Sequence, residues 1–149
     1  MFRFVPRFAA VLVLVVAGTL APAAAEERSF YASGAGNVQV DDYSAVMYAG
    51  FEATHLGNAS FYGSVYSLYY SQPLEIHVEL DAANGDRLYL DGVVDYNYDT
   101  GIAIGTLTIT GGTGASRRFQ DATGSADVMF VFDLNVQKFT FLIDGSIDY

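Results

Sequence analysis

The chain has 149 residues, 52% hydrophobic and 15% aromatic, and carries 7 basic against 17 acidic side chains for a formal charge of −10. That balance repels phosphate backbones and anionic lipid, so neither nucleic acid nor a membrane surface is an expected partner. The absence of cysteine removes disulfides, thiolate nucleophiles, thiolate metal sites and the attachment point of a lipid anchor.

Residues 1–25 read as a cleavable signal peptide. Arg3 and Arg7 form a basic start, an apolar run follows from Phe8 to Leu20, and Ala23-Ala24-Ala25 stands before Glu26-Glu27. The run is shorter than the roughly 20 residues a membrane span needs, and small residues before a charge suit a signal peptidase. The expected location is therefore secreted or periplasmic. The remaining 26–149 suffice for a single domain with its own core. Only Arg28, Arg87, Arg117, Arg118 and Lys138 are basic there, against all 17 acids, a formal −12. Disorder is not expected despite the charge, because disordered chains lack aromatic residues.

Alternation with period two runs through this domain. Strands are expected at about Ser29–Gly34, Gln39–Ala53 (with a break near Asp42 left open) and Ser60–Tyr70, with turns at Gly36-Asn37 and Gly57-Asn58. In Leu74-Glu75-Ile76-His77-Val78-Glu79-Leu80 every second residue is apolar, so one face is buried and the other wet. Asn84-Gly85 turns that strand into Arg87–Tyr98, and Asp99-Thr100-Gly101 leads on to Ile102–Thr110. Ser125–Asp133 follows, and Leu134-Asn135 closes a last hairpin with Lys138–Tyr149, in which Gly145 is expected to mark a bend. With no helical period after Ala25, eight strands joined by hairpins predict an all-β fold, an antiparallel meander closed into an eight-stranded barrel.

Several motifs carry candidate chemistry. Gly111-Gly112-Thr113-Gly114 lacks the Gly-Lys-Ser/Thr ending and the following helix of a phosphate loop, and reads as a tight turn needing positive φ, with Gly124 at its far side. Asp95-Tyr96-Asn97-Tyr98-Asp99 imitates the opening of a calcium loop, but its glycine comes one place late and Thr106 stands where the bidentate glutamate belongs; a hairpin turn explains it equally. His55, at a strand end beside Gly57, is either a polar group at a barrel mouth or a plug that orders its turn, while His77 between Glu75 and Glu79 reads as a solvated surface residue. The tyrosines, among them Tyr62, Tyr66, Tyr69, Tyr70, Tyr89, Tyr96 and Tyr98, either line a pocket for a flat ligand or pack as strand aromatics do. No nucleophile elbow is present.

Three segments together, Ala53-Thr54-His55-Leu56-Gly57, Ala83-Asn84-Gly85-Asp86 and Thr108 through Gly111–Gly114 and Phe119 to Gly124, resemble a family of small exported bacterial proteins with an allene oxide cyclase-like barrel. Plant dirigent proteins and allene oxide cyclases look like more distant relatives, sharing mainly the Gly111–Gly114 and Phe119 segment. One departure stands out: Ala115-Ser116-Arg117 intervene before Arg118-Phe119, where the family runs on directly. The resemblance implies the barrel more firmly than any activity, and leaves a homo-oligomer open.

The resulting expectation is a binding or structural module for a small apolar or aromatic molecule, whose barrel mouth is formed by His55, Arg118, Phe119 and Tyr96. Asn84, Gly85, Gly111, Gly112, Gly114 and Gly124 are expected to serve the turns, and neither metal nor cofactor is called for. The rival is a cofactor-free cyclase, isomerase or dirigent-like enzyme acting inside the barrel. The two differ in whether His55 and Arg118 share a closed cavity.

Overall fold

A computed structural model describes residues 27–66 and 73–149; the proposed signal peptide, Tyr69 and Tyr70 lie outside them. Eight strands follow in order: β1 Arg28–Val40, β2 Ser44–Ala53, β3 Gly57–Tyr66, β4 Leu74–Ala82, β5 Arg87–Asn97, β6 Ile102–Thr113, β7 Thr123–Asp133 and β8 Lys138–Asp148. Each pairs antiparallel with the next, and β8 returns to β1 with Ile143 opposite Ala32, which closes the barrel. Closure leaves no strand edge open for pairing with another chain.

The expected number and order of strands hold, but two turn assignments do not. β1 runs unbroken through Gly36-Asn37. Gly36 is there because an added Cβ would stand 2.0 Å from the Tyr48 carbonyl oxygen, so the glycine serves close approach of β1 to β2 and not a turn. The reversal comes at the break left open near Asp42, on Asp41, whose carboxylate accepts from the backbone N–H groups of Tyr43 and Ser44 at 2.8 and 2.7 Å, as an aspartate-centred turn does. Likewise Gly111 and Gly112 lie inside β6, next to a bulge that faces Tyr89 and Leu90. Gly111 has the expected positive φ of 111°, yet the connection to β7 is the stretch from Gly114 to Ala122. Gly145 sits in a continuous β8, where β7 passes so near that a Cβ would meet the Ser125 oxygen at 2.1 Å.

The inward residues of all eight strands make one core. Its middle is filled by Phe61, whose ring lies 4.6 Å from Phe141, 5.6 Å from Phe139 and 6.2 Å from Phe130. Facing glycines make room for these rings: a Cβ on Gly34 would stand 2.9 Å from both Phe141 Cε1 and Phe51 Cβ. The barrel is thus solid at mid-height.

Because the strands alternate in direction, the connections fall into two groups. The β1–β2, β5–β6 and β7–β8 turns share one end with the final residues of β3. The β2–β3 and β4–β5 turns, the long β6–β7 loop, Arg28 and Tyr149 share the other.

Candidate functional site

The cavity lies at the first of these ends. It has a volume of about 230 Å³, and its walls include Val38, Ala45, Val94, Tyr96, Ala103 and Phe132. It exists because the inward residues there are short or β-branched, in contrast to the phenylalanine layer beneath. Ala103 illustrates this: its register partners Tyr96 and Phe130 are both large, and nothing of comparable size projects between them. No Asp, Glu, His, Lys or Arg lines the cavity among the described residues. Tyr96 and Tyr98 are among the lining residues, and their rings meet edge to face at 4.8 Å. Burial, with Tyr98 adding to it, pushes the Tyr96 phenol above its ordinary value.

The opposite end is stoppered. The β6–β7 loop folds inward and buries Phe119 to 1% exposure; the absence of a side chain at Gly112 is what admits it, since a Cβ there would lie 2.7 Å from Phe119 Cβ. The loop is held by the β4–β5 turn. Asp86, itself buried, accepts from Ser116 Oγ at 2.6 Å and from Asn84 Nδ2 at 3.0 Å. The Ser116 hydroxyl bond is the main reason its carboxyl is held below the usual carboxylate range, against the opposing effect of burial. Gly114 has φ +137°, and a Cβ on it would stand 2.3 Å from Asp86 Oδ1. The intervening Ala115-Ser116-Arg117 therefore supplies the latch of this loop.

His55, Arg118 and Phe119 do come together, but at the stoppered end and with Tyr149 instead of Tyr96. His55 takes φ +67° in the β2–β3 turn and donates Nε2–H to the Ser29 carbonyl at 2.9 Å. Arg118 donates to the His55 carbonyl at 3.0 Å and to the Tyr149 hydroxyl at 2.5 Å. Tyr149 in turn meets the rings of Phe119 and His55 edge-on at 5.0 and 5.7 Å. The expected mouth was thus divided between two ends of the barrel: His55 orders a turn, Phe119 fills the core, and Tyr96 alone reaches the cavity. The signal that places the cavity is the alternation of turns. The Asp99–Gly101 and Leu134–Asn135 turns share an end, and the small inward residues Ala45 and Ala103 lie within that end.

The remaining motifs serve local structure. Asn97 Oδ1 accepts from the backbone of Asp99 and Thr100 at 2.9 and 3.1 Å, and Gly101 completes the hairpin at φ +71°; the calcium-like spacing is used as a turn. Asn84 and Gly85 form the β4–β5 turn as expected, with Gly85 at φ +85°. His77 is half-exposed yet not merely solvated. Its Nδ1–H donates to Asp91 Oδ1 at 2.6 Å, Thr110 donates to Asp91 Oδ2 at 2.9 Å, and Glu79 links His77 at 3.4 Å to Arg87 at 3.1 Å.

No protein-family model and no curated protein matches the sequence. Among solved structures, that of a pterocarpan synthase dirigent protein is similar, with 18% identity, a TM-score of 0.52, and 83% of this chain and 94% of that chain covered. The protein has a dirigent-like closed barrel, in agreement with the resemblance carried by Gly111–Gly114 and Phe119. At this identity the likeness speaks for the fold and not for an activity.

Proposed function

We propose that the protein is an exported barrel of the allene oxide cyclase-like kind that binds a small, neutral, apolar or aromatic molecule in the cavity beside Tyr96. The observation that carries this reading is the wall composition: aliphatic and aromatic side chains, two tyrosines among them, and no Asp, Glu, His, Lys or Arg among the described residues. An apolar cavity of about 150 Å³ takes up benzene, so about 230 Å³ suits a substituted monocyclic ring or a hydrocarbon of similar bulk. A charged ligand is disfavoured, because it would lose its hydration without gaining a partner. Export follows from residues 1–25, and the acidic surface keeps the free protein away from anionic lipid and nucleic acid.

A second reading has one observation in its favour. The phenols of Tyr96 and Tyr98 stand at the cavity wall, and the barrel of the structural neighbour belongs to a protein described as a synthase. A dirigent-like enzyme would hold a reactive intermediate in a fixed pose and let shape decide the product. The raised Tyr96 phenol would act there as a hydrogen-bond donor.

Native mass spectrometry of protein recovered from the medium, with thermal shifts against a panel of neutral monocyclic compounds and their carboxylated analogues, tests the binding reading. A retained neutral molecule or a shift confined to the neutral set is expected. No adduct and no shift anywhere in the panel would remove it. A change of product stereochemistry at sub-stoichiometric protein would move the assignment to the enzyme.

A further inference from the structure

The stoppered end carries a feature that the cavity does not explain. In a domain of formal charge −12, three of the five basic residues, Arg28, Arg117 and Arg118, stand at this one end. Two of them converge on one oxygen: the Tyr149 hydroxyl accepts from Arg28 at 3.1 Å and from Arg118 at 2.5 Å. Their guanidinium carbons lie over the Tyr149 ring at 4.8 and 4.7 Å. Among the described residues every ion pair lies on β4 and β5, between His77, Glu79, Asp81, Arg87 and Asp91, and none engages Arg28, Arg117 or Arg118. The nearby Asp86 is buried and already bonded by Asn84 and Ser116.

The hydrogen-bond balance is lopsided. The phenolic oxygen accepts two bonds from protein donors, and its own proton remains available to solvent or to a bound group at this partly exposed position. Two guanidiniums and one phenolic O–H therefore gather around a point with no carboxylate in ion-pair contact among the described residues, the Asp86 charge acting on Arg118 only from farther off. Like charges this near repel, and a protein with 17 acids had carboxylates to spare for neutralising them. Burial acts to raise the Tyr149 phenol, but the bonds and charges of Arg118 and Arg28 outweigh it and hold the phenol below its ordinary value, in keeping with a site that favours an anion.

We propose that Arg28, Arg118 and the Tyr149 hydroxyl form an oxyanion-binding site, separate from the apolar cavity, that takes a carboxylate or a sulfate or phosphate group. The planar guanidinium forks match the paired oxygens of such groups. On binding, the phenolic proton turns to the anion and supplies a third donor. His55 and Phe119, packed edge-on against the Tyr149 ring, hold that ring in place, and the Arg118 bond to the His55 carbonyl fixes one of the two forks in advance.

The test titrates the labelled protein with sodium acetate, sodium sulfate and sodium phosphate in separate arms, each against sodium chloride at equal ionic strength. Guanidinium and Tyr149 ring resonances are followed by NMR. Saturable shifts at Arg28, Arg118 and Tyr149, absent at Lys138 and Tyr66, are expected in at least one arm. Saturation with acetate alone assigns a carboxylate; saturation with sulfate or phosphate assigns a tetrahedral group. Arg28→Gln, whose side chain is bonded only to Tyr149 among the described residues, should keep the fold and weaken binding about tenfold, the loss of one charge-assisted bond. Arg28→Lys should recover part of it. Shifts that merely follow ionic strength, as in chloride, would overturn the proposal, and so would saturable binding that Arg28→Gln and Arg118→Gln leave unchanged.

Discussion

Ser116 Oγ donates to Asp86 Oδ2 across 2.6 Å, joining two loops thirty positions apart in the chain and pinning the stopper that carries Phe119. The bond favours the ionised carboxylate. It therefore couples the closure of one barrel end to the charge of a buried acid.

Acid stability should report this bond. The Asp86 carboxyl titrates below the ordinary aspartate value in the folded chain, chiefly because of the Ser116 hydroxyl. A depressed folded value means that the contribution is complete above the unfolded value and is lost as pH falls through the folded one. Urea midpoints should thus hold above about pH 4 and fall below it. Asp86→Asn should flatten that fall, and Ser116→Ala, which removes the chief cause of the lowered value, should flatten it too. Identical pH profiles for the three proteins would contradict the assignment. Asp41, lowered by the backbone N–H of Tyr43, titrates in the same window and remains in all of them.

Phenylalanine packing at mid-barrel makes Gly34 intolerant of a methyl group. Gly34→Ala places a carbon 2.9 Å from Phe141 Cε1 and from Phe51 Cβ, contacts that neither rigid neighbour yields without shifting. A loss of about 1–3 kcal/mol in chemical denaturation is expected from overpacking. Gly50→Ala, with nothing within 4 Å of the added carbon, should be neutral or gain up to about 1 kcal/mol.

Filling the cavity should abolish uptake without unfolding the barrel. Ala103→Leu extends into the space bounded by Tyr96, Phe130 and Phe132. A neutral ligand at roughly a hundredfold excess over its Kd should stabilise the parent by about 2.7 kcal/mol, and the variant by far less in the same thermal melt. An undiminished shift would place the ligand elsewhere.

Tyrosine titration should separate two phenols. Tyr96 is raised, by burial first, and Tyr149 is lowered, since the bonds from Arg118 and Arg28 overcome burial. Near-ultraviolet phenolate absorbance should show Tyr149 ionising before the bulk of the tyrosines and Tyr96 after it, with Tyr149→Phe deleting the early step. Arg118→Gln should return that step toward the ordinary value. Because the folded Tyr149 value is the lower one, its contribution to stability appears only as pH rises through that value, and is complete above 10.0.

What the chain determined locally was the set of strands and their faces. Period-two runs such as Leu74–Leu80 place a residue inside or outside by position alone, and Asn84-Gly85 or Asp99-Thr100-Gly101 demand reversal through their own backbone preferences. Eight strands and a meander followed from these. Gly36 was misread for the same reason: a glycine serving close approach of two strands looks, in one dimension, like a glycine serving a turn.

Closure decided the rest. Whether a layer of the barrel is full depends on the summed volume of side chains that eight separate strands bring to one height. Four phenylalanines from β3, β7 and β8 meet at mid-height, while alanines and valines from β1, β2, β5 and β6 meet above them and leave a cavity. Arg28, Arg118 and Tyr149 lie at most 121 positions apart, and only the return of β8 to β1 makes them neighbours. Alternation tells each residue which way to face; it carries no information about what it will face, because that is set by register around the ring.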